Sequence, residues 1–159
     1  MAGVPINGGR INRHLQLTRV IAALNMELEH LTNVFAPTLL QTLGIGVDMA
    51  AALLVTVGSN HDRLKSGVAF AALCGVSPIP ASSGKTNRFR LNSSGDRQAK
   101  AAIYRIALIS LRYDDRLAAY FQRRIKDGKT KAEAIRCLKR YVAREVFAIL
   151  HDIDQKTQE

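Results

Sequence analysis

With 159 residues, 47% of them hydrophobic, the chain can bury a real core in one compact domain, which excludes wholesale disorder. A net charge of +10 and a pI near 10.1 point to nucleic acid or another anionic surface as the partner. No apolar run approaches the roughly eighteen residues of a membrane span, and none at the N-terminus has secretory character, so the sequence predicts a cytoplasmic protein, associated with the nucleoid if its partner is DNA.

The charge is unevenly placed. Between Lys85 and Arg144 stand 17 of the 23 Lys and Arg but only five acids, Asp96, Asp114, Asp115, Asp127 and Glu133. Arginine predominates there, which suits phosphate forks better than loose solubilising charge. His14, His30, His61 and His151 are scattered, so no metal spacing is visible. Cys74 and Cys137 lie in apolar helical contexts and read as small buried hydrophobes.

In chain order, residues 1–12 hold Gly3, Pro5, Gly8 and Gly9 and read as a flexible leader. From 13 to 36 the residues Leu17, Ile21, Leu24, Leu28, Leu31 and Phe35 recur at alternating spacings of four and three, a heptad seam that Pro37 ends. Such a narrow stripe serves either as a packing face within one chain or as a coiled-coil strand. The undrifting spacing favours pairing between chains, and so a homo-oligomer through residues 13–36.

A compact helical domain is expected over 37–151. It opens with a helical hairpin over 39–58, whose turn carries Gly44-Ile45-Gly46. Glycine lets the backbone turn and leaves amide N–H groups open at the next helix start, the physics of a helix-hairpin-helix phosphate grip. An ordinary helix–helix turn fits the spacing equally well. A short helix over 66–74 ends at Gly75, and Pro78 and Pro80 keep the next stretch extended.

The loop over 78–97 is the most informative segment. It carries Ser82-Ser83-Gly84-Lys85, Arg88, Phe89, Arg90 and Arg97, a polar and strongly basic run between alanine-rich helices. Gly84-Lys85-Thr86 is no nucleotide-binding phosphate loop, because Ile79 stands where the first glycine is required. A serine becomes a nucleophile only where its proton can leave and the developing charge is held. Lys85, Arg88, Arg90 and Arg97 could hold a scissile phosphate. No histidine or carboxylate nearby supplies a base, and from composition alone Ser82 and Ser83 read as hydroxyls of a serine-glycine turn rather than as nucleophiles.

The closing helices occupy 98–151, with a tail over 152–159. Ile103, Ile106, Ala107 and Ser110 form the inward face of the first, with Lys100 and Arg105 on its other faces. Asp114 caps a helix to about Lys126 that turns Leu117, Tyr120, Phe121 and Ile125 inward. Gly128 closes it, and Thr130-Lys131-Ala132-Glu133 is a capping box for the last helix, whose core stripe is Ile135, Leu138, Val142, Val146, Ile149 and Leu150. Arg123, Arg124, Lys126, Lys129 and Lys131 cluster around the Gly128 turn, while Lys139, Arg140 and Arg144 are expected on the outward face. Phe89 is a candidate for stacking on a base; Tyr104 reads rather as core. No segment reads as a strand, so the fold class is all-α, an N-terminal coiled-coil-like helix followed by the compact helical domain.

The order of these elements resembles the C-terminal domain of the IS110 family of insertion-sequence transposases, the DEDD recombinases related to the pilin-inversion invertases. Leu40-x-x-Leu43-Gly44-Ile45-Gly46 with Ala50-Ala51-Ala52-Leu53-Leu54 resembles the opening hairpin. The likeness continues through Phe70 to Pro78, Ser82-Ser83-Gly84-Lys85, Leu91-Asn92-x-x-Gly95-Asp96-Arg97, Asp115-Arg116-Leu117, Tyr120-Phe121 and Gly128-Lys129. It covers residues 13 to 151.

The resemblance implies site-specific DNA recombination by a serine nucleophile, directed by a non-coding bridge RNA as guide. The matching serine is Ser83, with Ser82 beside it as the runner-up, and a 5′-phosphoserine ester is the implied intermediate. DNA-binding roles fall to Gly44 and Gly46 by backbone and to Lys85, Arg88, Arg90, Arg97 and Lys100 by side chain. Family members also carry an N-terminal RuvC-like domain whose four acids bind divalent metal, magnesium by expectation. Nothing in this sequence matches that domain, so no cofactor is expected on this chain. The expectation is therefore a domain that binds DNA but does not recombine alone. Its alternative is a non-enzymatic helical DNA-binding or assembly protein, a transposase remnant.

Overall fold

The computed structural model describes residues 8–58, 65–81, 89–90 and 92–158. Helix α1 spans Gly8–Phe35, followed by α2, Pro37–Leu40, and α3, Val47–Val57. After α4, Gly67–Leu73, come two short strands, β1, Ile79–Pro80, and β2, Phe89–Arg90. Then follow α5, Arg97–Tyr113, α6, Asp115–Lys126, and α7, Lys131–Gln158. The all-α expectation holds, with one addition. The strands form a two-residue antiparallel ribbon pairing Ile79 with Arg90 and Pro80 with Phe89. Nothing in so short a pairing has period-two patterning, which is why the sequence does not announce it.

Local signals place the helix ends. Pro37 starts α2 within one residue of the end of α1 because a proline needs no N–H donor at a first helical position. The Ser66 hydroxyl accepts from Ala69 N at the start of α4. Asp114 accepts from Arg116 N at 2.9 Å and Leu117 N at 3.4 Å. The Glu133 carboxylate accepts from Thr130 N at 2.9 Å while Glu133 N donates back to the Thr130 hydroxyl, closing the expected capping box. Two boundaries differ from expectation: α1 begins at Gly8 rather than Arg13, and α7 runs on to Gln158 through the region read as a tail.

Helix α7 is the central strut and packs against α2, α4, α5 and α6, while α3 lies along α5. Leu39, Leu53, Phe70, Ile103, Leu138, Val142 and Val146 are fully buried between them. Each such side chain contributes roughly 1.5–3 kcal/mol by leaving water. The inward face expected of α5 is buried throughout.

Helix α1 behaves differently. Among the described residues its main contacts with the body are with α2 and α3, and in its last turns Leu28, Leu31 and Phe35 border a hollow with Ala51, Leu54 and Val55 of α3. All six seam residues, Leu17, Ile21, Leu24, Leu28, Leu31 and Phe35, remain between 37 and 64% exposed. Only the C-terminal part of the seam thus faces α3, and Leu17, Ile21 and Leu24 are half or more exposed. No helix among the described residues is long and apolar enough to cross a membrane.

Candidate nucleic-acid interface

The serine-bearing segment is mounted on a clamp of backbone and buried polar groups. Gly75 and Gly95 both have positive φ, +61° and +89°, a conformation side chains resist. They also touch: a Cβ on Gly95 would stand 2.7 Å from Gly75 Cα and from Leu73 O. Asp96 N donates to Leu73 O at 2.7 Å, and the Asp96 carboxylate caps α5 through Ala99 N while accepting from the Thr56 hydroxyl. Buried Asn92 donates to the Ser77 hydroxyl at 3.0 Å and accepts from Ser94 N and the Ser94 hydroxyl. These contacts, with the β1–β2 pairing, hold the two ends of the segment side by side.

Ser82, Ser83, Lys85 and Arg88, the centre of the sequence-based site, lie outside the described residues, as does Leu91. The ends of their segment border a recess of about 250 Å³. Ser77, Pro78, Phe89, Arg90 and Asn92 form its wall on the ribbon side, and the C-terminal end of α6 with the first half of α7 forms the other. Six cationic side chains line it: Arg90, Arg124, Lys129, Arg136, Lys139 and Arg140. Glu133 is the one acid in the lining, and its carboxylate already accepts from Thr130 and faces Arg136 at 3.9 Å. Those Thr130 hydrogen bonds hold its pKa below the usual carboxylate range. Exposed Phe89 completes the rim with an aromatic face.

The remaining expected contacts divide. Arg90 lines the recess, whereas Arg97 is exposed in the first turn of α5. Lys100 is engaged structurally, donating to Asn92 O at 2.7 Å and lying 3.4 Å from Ser94 O. Gly44, at φ +85°, faces α5, where an added Cβ would meet Ile109 and Ser110 at 3.3 Å. Gly46 caps α3 and opens onto a different hollow, shared with Glu29, Asp48 and Arg105. Two carboxylates before that helix start oppose an anion there.

Two sequence-based placements need correction. Lys139 is not on the outward face of α7: it is 8% exposed, with its ammonium 5.7 Å from the Tyr104 ring centroid. Tyr104, in turn, is partly exposed rather than core. The sequence did carry the signal, since Lys139 stands four residues after Ile135 and three before Val142, on the flank of the core stripe. Both cysteines are buried as expected. Burial, with the Asp96 charge adding to it, pushes the Cys74 thiol up to about 12, which makes it inert as a nucleophile. Among the described residues no group of three His, Cys, Asp or Glu could hold a metal ion.

A family model described as "Transposase IS116/IS110/IS902 family" matches residues 36–122, from the end of α1 into α6. A protein of insertion element IS110 from Streptomyces coelicolor is 31% identical over 140 residues, covering 87% of this chain and 34% of its own length. A protein of insertion element IS900 from Mycobacterium paratuberculosis is 29% identical over 118 residues, covering 74% of this chain and 30% of its own length. The chain thus spans about a third of the length of these relatives.

Proposed function

Because the chain belongs to the IS116/IS110/IS902 transposase family, we propose that it is the DNA-binding, serine-bearing part of a transposase. The observation that carries this reading is the recess with six cations and one engaged acid at the foot of the serine segment. Clustered cations on concave surface concentrate a phosphate backbone, and arginine forks orient it. The Gly75–Gly95 clamp fixes the flanks of that segment beside the start of α5, which supports a strand bound near the serine.

In this reading Ser83, or Ser82 beside it, attacks a DNA phosphorus. The serine Oγ–P bond forms, the P–O3′ bond breaks, and the serine proton ends on the departing 3′ oxygen. Lys85, Arg88 and Arg90 hold the charge that develops on the phosphate, with Arg97 in the adjoining helix turn. Gly44, packed on α5, and Gly46, beside the Glu29 and Asp48 carboxylates, are secondary contacts. Divalent metal and the guide RNA act through the rest of the family protein, and the exposed seam of α1 joins subunits.

Equilibrium DNA binding and strand exchange, measured on Ser83→Ala, test the reading. With the acidic half of a family member supplied, the variant should keep its DNA affinity and lose strand exchange. Exchange at the wild-type rate moves the nucleophile to Ser82 or removes it. Failure of the wild type to exchange strands, with DNA binding intact, supports the non-enzymatic alternative instead.

A further inference from the structure

We infer that the recess between the β-ribbon, α6 and α7 is a seat for one DNA phosphodiester group, with Lys139 as its buried anchor. The inference rests on the DNA-binding reading and deepens it by assigning the contact to residues that neither the sequence pattern nor the family match singles out.

Lys139 is more than nine-tenths buried and lines the recess. No carboxylate pairs with it among the described residues. Its company is the Tyr104 ring and the cations Lys100 and Arg136. A buried charge without a counter-ion costs the fold free energy, and burial together with those two cations lowers the Lys139 pKa. A purely structural position of this shape would be served better by methionine or leucine. Retaining an ammonium fits a site completed by an anion.

The neighbouring groups fit the same occupant. Among the described residues, Arg124 Nε is buried without a hydrogen-bond acceptor, and the acceptor of the Arg140 guanidinium is the weak Cys137 Sγ, at 3.3 Å. Arg124 also reaches Asp127 through Nη1 at 3.4 Å, so guanidinium donors only partly taken up come from α6 and α7 to a space also lined by Arg90. The volume of about 250 Å³ is below the roughly 300 Å³ where small-molecule pockets begin. It suits a phosphate with part of its sugar, leaving the attached base at the rim beside Phe89, which is exposed for stacking.

The test uses the full chain with two probes, inorganic phosphate and a short labelled single-stranded DNA. Lys139→Met keeps the length of the side chain and removes its charge. It should weaken DNA binding at least about tenfold and lower the slope of log affinity against log salt by roughly 0.7. Phosphate should raise the thermal midpoint of the wild type above that in chloride of equal ionic strength, and the gain should vanish in the variant. Lys156→Met, outside the recess, should match the wild type on both counts. If Lys139→Met does not fold, the double variant Arg124→Gln, Arg140→Gln answers in its place with the same two readouts.

Full DNA affinity in a folded recess variant overturns the proposal while leaving the DNA-binding reading in place. A wild-type chain that binds no DNA removes that reading, and the proposal with it. Phosphate stabilisation that depends on Lys139 without any effect on DNA affinity identifies a free-phosphate site and also overturns the proposal.

Discussion

Gly95 shows how a single residue can fix a loop. Its positive φ and its contact with Gly75 exclude any side chain on two independent grounds. Gly128 has a positive φ as well, +80°, but nothing lies within 4 Å of where its Cβ would stand. Gly95→Ala should therefore cost roughly 3 kcal/mol or more, from strain and overlap together, and Gly128→Ala about 1 kcal/mol from strain alone. Urea unfolding of both variants checks the difference; equal costs would dismiss the clamp. Lys139 gives a second prediction at this scale. Its folded-state pKa is lowered, so between that value and the unfolded lysine value the unfolded chain binds more protons, and stability rises with pH. The stability deficit of wild type relative to Lys139→Met should shrink as pH rises through that window below about 10.4. A deficit that is absent or independent of pH would mean that the ammonium is not penalised by burial.

At the scale of elements, much was legible in the sequence because helix ends are local chemistry. Asp114, Ser66 and the Thr130–Glu133 box each satisfy backbone donors within three residues, a distance that sequence reading can see. Asp114→Ala should accordingly cost about 1 kcal/mol of domain stability, measurable by thermal or urea unfolding. The core stripes of α5 and α7 were legible for a related reason, since burial follows the helical period. The α1 seam was legible as a pattern, whereas the exposure of its residues within one chain is visible only in the fold. Replacing Leu24 with Glu should leave the unfolding midpoint of the domain nearly unchanged and shift the sedimentation of the protein toward monomer. A large loss of stability without a change in assembly would show the seam to be a packing face after all.

For the whole molecule, the recess was the least legible feature. Arg90 comes from the ribbon, Arg124 from the end of α6, and Arg136, Lys139 and Arg140 from α7. Their convergence depends on how α7 crosses the sheetless core beside α5 and α6, and no window of sequence contains that geometry. The basic residues around the Gly128 turn read in sequence rather as a solvated helix end, whereas folding brings Arg124 and Lys129 to the recess that Arg90 lines. The proposed serine role is legible only through resemblance, because a hydroxyl among cations becomes reactive through partners distant in sequence. The clamp and the recess lie together in a transposase-family chain that spans about a third of its relatives' length.

The most direct measurement is a covalent-adduct assay in trans. The chain is mixed with a separately made acidic half of a family member, magnesium, the guide RNA and labelled element-end DNA, then denatured and resolved by size. A protein–DNA band that survives denaturation and disappears in Ser83→Ala is the predicted result. An undiminished band in Ser83→Ala and in Ser82→Ala, or no band from a mixture that binds the DNA, would contradict the serine assignment.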